Sequence, residues 1–121
     1  MENTEKAMTY AEALTAYLKV LTETEKAYFA ARFSNLNPPS FSVEPGRSFD
    51  KIVVTDGFGN CRSVHSFVAK KDGDTKSLGA RKAGDIMKAA TWKAPARHPR
   101  GSIFGNVTDA FGGPGATIRY L

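Results

Sequence analysis

The sequence predicts an α+β domain, an N-terminal helix packed on an antiparallel meander of about four strands. Two observations carry that prediction. Apolar and aromatic residues recur at helical spacing over residues 9–33, and from Phe41 onward the chain breaks into short alternating runs separated by glycine-bearing turns. A chain of 121 residues, 41% hydrophobic and 24% charged, has room for a single domain with one modest core.

The helix begins at Thr9, which stands three residues before Glu12 in capping-box spacing, and Leu14, Tyr17, Leu18, Leu21, Tyr28, Phe29 and Phe33 then mark one face. Thr22 and Glu25 repeat that spacing, so a break near Leu21–Thr22 is the alternative to one long or kinked helix, which is the expectation. Asn37-Pro38-Pro39 ends the helix, because proline lacks a donor and restricts the residue before it. Phe41–Glu44, Phe49–Thr55, Cys61–Lys70 and Asp85–Trp92 read as strands. In the third, alternation points Val64, Ser66 and Val68 one way and Ser63, His65 and Phe67 the other. Lys71–Gly84 is small, polar and glycine-rich and reads as a long mobile loop, while residues 1–8 and 112–121 read as flexible ends. Ser102–Ala110 is too short to assign.

Charge is unevenly distributed. Residues 1–46 hold six acids and four bases, whereas residues 47–121 hold thirteen bases and six acids, so the net +5 belongs to the second part of the chain. A positive field confined to one region attracts polyanions in a salt-dependent way. There is no long apolar run to span a bilayer and no basic, apolar leader, so the expectation is an intracellular protein without a membrane role. The single Cys61 has no internal disulfide partner and is expected to be semi-buried and inert.

The most informative segment is KAATWKAPARHPRGSIF (88–104), which holds the only Trp among several cations and no acid. An indole beside lysines and arginines suits a single-stranded nucleic acid, whose bases stack while its phosphates meet the cations. The expected contact residues are Trp92, Lys93, Arg97, His98 and Arg100, with Arg62, His65, Lys70 and Lys88 extending the surface and Phe67 as a further candidate. Lys71, Lys76, Arg81 and Lys82 would form a flexible cationic flap with Lys70. The competing reading makes Trp92 a buried anchor on the helix, since a lone Trp is usually well buried.

The alternative function is a protein-interaction module, binding a host protein or forming part of an assembly. A homo-oligomer is expected under both readings, because one helix covers only one face of a sheet. An enzyme ranks lower. His65 with Ser63 and Ser66 lies in no nucleophile-elbow context, and His65 reads as a hydrogen-bonded structural residue. With one Cys and two His, no metal site is expected, and neither glycine cluster matches a phosphate-cradling loop, so no cofactor is expected.

The pieces GRSFDKIV (46–53), CRSVHSFVAKKDGD (61–74) and GDIMKAATWKAPARHPRGSIF (84–104) resemble a family of small basic proteins encoded by tailed bacteriophages. The likeness covers about half the chain and rests mainly on the Trp92–His98 block; Thr75–Gly84 departs from it as an added stretch. It implies a phage origin and a bacterial host cytoplasm or virion as the setting, and it supplies no activity.

Overall fold

The computed structural model describes residues 9–33, 35–75, 79–112 and 115–118. One helix, α1 (Tyr10–Arg32), starts on a complete capping box: the Thr9 hydroxyl accepts the Glu12 amide and the Glu12 carboxylate accepts the Thr9 amide. The helix runs unbroken through Thr22. Glu25 has another task, accepting the Ala116 amide at 2.8 Å.

The strands are β1 (Ser40–Glu44), β2 (Phe49–Thr55), β3 (Arg62–Ala69), β4 (Gly73–Thr75), β5 (Gly79–Arg81), β6 (Asp85–Ala89) and β7 (Pro95–Ser102). Five of them form an antiparallel sheet in the order β1-β2-β3-β6-β7, and β4 pairs with β5 as a separate hairpin. The helix and antiparallel sheet therefore agree with the predicted class, with one strand more than expected in the main sheet. That strand, β7, holds both Pro95 and Pro99, and proline is tolerated there because β7 is the sheet edge. The segment expected to be a loop contains the β4–β5 hairpin, and Ser102–Ala110 ends in a short 3-10 helix, Val107–Ala110, that buries Val107 and Ala110.

The helix face of the sheet carries the main core. Ala13, Tyr17 and Leu21 of α1 meet Ile52, Val68 and Ile86, joined by Ile103, Val107 and Ala110. Ala116 and Ile118 complete it, so residues 115–118, expected to lie in a flexible end, are anchored instead. Residues 1–8, 113–114 and 119–121 of the expected flexible ends lie outside the described residues.

Part of the opposite face is also buried. Val53, Phe67, Ala69 and Met87 are at most 4% exposed, with the Phe49 ring edge-on to Phe67. The open face from which a homo-oligomer was expected is therefore covered in part within the chain. A β-bulge sorts residues between the two faces: Ile52 pairs with Ser66 and Val53 with Val64, leaving His65 as the extra residue. Past the bulge the alternation inverts, which puts His65 and Ser63 on the helix face and Val64 and Arg62 on the other.

Candidate nucleic-acid interface

Strand β6 ends at Ala89, and the chain turns before β7 with the Thr91 hydroxyl accepting the Lys93 and Ala94 amides. Trp92 stands at the tip of this turn, not within a strand, and is 42% exposed. It lies on the face away from α1. Lys51 Nζ is 4.2 Å and the Arg62 guanidinium 5.7 Å from the centre of its ring, both within cation–π range. Glu44 makes an ion pair with each of these cations.

Two depressions flank the turn. One, of about 280 Å³, is lined by Arg47, Lys51, Lys93 and Phe49 among others. The other, of about 310 Å³, lies between Arg62 and Ala89–Trp92. Sequence reasoning missed Lys51, Arg47 and Glu44. The available signal was Lys51 alternating with Phe49 and Val53, a charge placed on an otherwise apolar face of β2.

The remaining expected contacts divide. Lys93 and Arg97 are exposed near Trp92 in sequence. His98 is exposed and adopts a left-handed φ of 68°, with its ring against Gly79 of the small hairpin. Arg100 is 7% exposed, and its guanidinium donates to the carbonyls of Arg97 and His98, bracing the irregular stretch of β7. It is a structural side chain, not an exposed cation. Lys70 donates to the Gly46 carbonyl and pairs with the buried Asp50, whose other oxygen accepts the Tyr10 hydroxyl at 2.7 Å. Lys88 points to the helix face and donates to the Ile118 carbonyl. Phe67 is buried, and Arg81 lies 5.1 Å over the Phe49 ring. Lys71 and Lys82 are exposed, while Lys76 lies outside the described residues. Cys61, expected semi-buried, is exposed.

His65 does not join Trp92, because the bulge turns it to the helix face. Its Nε2 is 2.6 Å from the Ala116 carbonyl and its Nδ1 2.9 Å from the Ser66 hydroxyl. Desolvation by burial, opposed by the Ala116 bond and aided by Lys88, lowers its pKa to about 4, so the ring is neutral near pH 7. A carbonyl only accepts, hence Nε2 carries the proton and Nδ1 accepts from Ser66. Ser66 then accepts from the Tyr17 hydroxyl, 2.7 Å away, whose pKa burial raises. The chain Tyr17 to Ser66 to His65 to Ala116 is thus directional and fully satisfied, and it ties α1, β3 and the C-terminal segment together.

Among the described residues no group of three or more His, Cys, Asp or Glu could hold a metal ion, and no helix is long and apolar enough to cross a membrane. Fold and surface together define a small α+β domain with an apolar core on each side of the sheet and a basic, tryptophan-bearing turn. The chain belongs to DUF7717, a family of unknown function that matches residues 1–111. The anchoring residues 115–118 lie beyond that match. No curated protein and no solved structure matches the chain.

Proposed function

We propose that the turn carrying Trp92 binds single-stranded nucleic acid weakly and without sequence preference. The observation that carries this reading is the 42% exposed indole set among Lys51, Arg62 and Lys93, with a depression on each side of its turn. A base stacks on the open part of the indole, while the phosphates on either side meet Arg47, Lys51 and Lys93 in one depression and Arg62 in the other. Arg97 adds charge. Glu44 holds Lys51 and Arg62 in place and competes with phosphate for them. The resemblance to small phage-encoded proteins supports a bacterial host as the setting of this activity.

Fluorescence anisotropy of a labelled single-stranded oligonucleotide at low salt tests the proposal. Saturable binding at micromolar protein that falls steeply with salt is expected. Trp92→Ala should weaken it by roughly 1–3 kcal/mol with the salt slope nearly kept. Lys93→Ala or Arg97→Ala should each lower the slope by something under one unit. No binding by the folded protein would reject this reading in favour of a protein-interaction module.

A further inference from the structure

On the helix face, across the sheet from Trp92, a groove of about 490 Å³ opens between the C-terminal half of α1 and the turn joining β2 to β3. Its volume lies in the range of small-molecule sites. Phe29, Leu36, Phe41 and Val54 give it an apolar lining, and Phe58, 72% exposed, stands at its rim. The mouth is built by close backbone approach: a Cβ at Gly57 would collide with the Asn37 carbonyl, so only glycine lets the two segments meet.

Among the described residues the charge lining the groove is of one sign. Among the described residues Glu25 and Asp56 line it and no Lys or Arg does, in a chain whose net charge is +5. The Asn60 amide, helped by those of Cys61 and Phe58, holds the Asp56 carboxyl below its ordinary range, so it is ionised at neutral pH. His65 contributes a neutral ring there, both of its nitrogens being engaged within the protein.

We propose that this groove binds a small amphipathic cation, an amine or guanidinium carried on an aromatic or branched aliphatic body. The apolar lining takes the body, and the carboxylates of Glu25 and Asp56 favour the positive end. An anionic ligand of the same shape meets two like charges, and a neutral one gains only the apolar contact. The proposal goes beyond the nucleic-acid reading and does not depend on it, since it concerns the other face of the sheet.

The test is an amide NMR titration of the full chain at neutral pH with three probes of similar shape: 2-phenylethylamine, 2-phenylethanol and 3-phenylpropionate. Saturable shifts at Phe41, Val54 and Gly57 are expected with the amine, at roughly tenfold higher affinity than with the acid and with the alcohol between them. The Glu25→Gln/Asp56→Asn double variant keeps an oxygen to accept the Ala116 and Asn60 amides while removing both charges. It should bring the amine close to the alcohol. If that variant does not fold, the order of the three probes on the wild-type protein decides. Equal affinity for amine and acid, shifts centred on Trp92 and Lys93, or no shifts at tens of millimolar probe would each overturn the proposal.

Discussion

Replacing His65 with Gln should remove a distinct part of the acid sensitivity of this fold. The imidazole is held neutral by burial and by its place between Ser66 and the Ala116 carbonyl, with a pKa lowered from 6.5 to about 4. In the unfolded chain it titrates near its ordinary value of about 6.5. Between those values the unfolded state binds the additional proton, so stability falls as pH drops from about 6.5 toward 4 and is unaffected by this group above that window. The depression corresponds to about 3 kcal/mol once pH is below both values and to about 2 kcal/mol at pH 5. Asp56, also lowered, loses stability in the same direction but in a more acidic window. Urea unfolding at pH 5 and pH 7 of wild type and His65→Gln isolates the term as a difference of differences. The variant is less stable at pH 7 because Ser66 and Ala116 lose their partner, yet it should lose about 2 kcal/mol less than wild type on acidification. Parallel losses in the two proteins would refute the reasoning.

Leu21 is fully buried against the sheet, and Leu21→Ala should cost about 2–5 kcal/mol in urea unfolding, with Leu18→Ala costing less because Leu18 is only partly buried; a loss below about half a kcal/mol at Leu21 would mean the helix face is misplaced. Gly84 has φ 89°, and a Cβ there would sit 2.5 Å from the Phe104 ring, so Gly84→Ala should lower stability by more than about 1 kcal/mol; an unchanged thermal midpoint would contradict that geometry. Glu44→Gln removes the acid that holds Lys51 and Arg62 and should tighten single-strand binding about two- to fivefold at low salt, the gain shrinking as salt rises. Unchanged or weaker binding would show that Glu44 does not compete for those cations.

The parts of this fold written in local signals were legible. The Thr9/Glu12 box and the apolar spacing after it locate α1 to within a residue, and Phe49–Thr55 is bounded as its alternation suggests. The core-facing role of Tyr17 and Leu21 follows from the same periodicity. What was not legible depends on partners distant in the chain. A β-bulge adds one residue without any compositional mark, so strict alternation sends His65 to the wrong face. Pro95 and Pro99 look like loop residues until β7 is known to be an edge. The glycine-rich residues after 111 look free, yet Glu25, His65 and Lys88 each bond to backbone within residues 115–118. At the candidate interface Trp92 and its cationic neighbours were visible by composition. Arg100 and Lys88 were not separable from them, because sequence does not tell an exposed cation from one spent on backbone carbonyls.

Because Trp92 is the only tryptophan in the chain, its intrinsic fluorescence reports directly on the central claim. Free protein should show a red-shifted emission that iodide quenches readily, as the 42% exposure requires. Titration with unlabelled oligothymidylate at low salt should quench that emission saturably, shield it from iodide and release both effects on adding salt. An emission that does not respond to single strands while anisotropy shows them bound would place binding elsewhere, and no response in either signal would contradict the nucleic-acid account altogether.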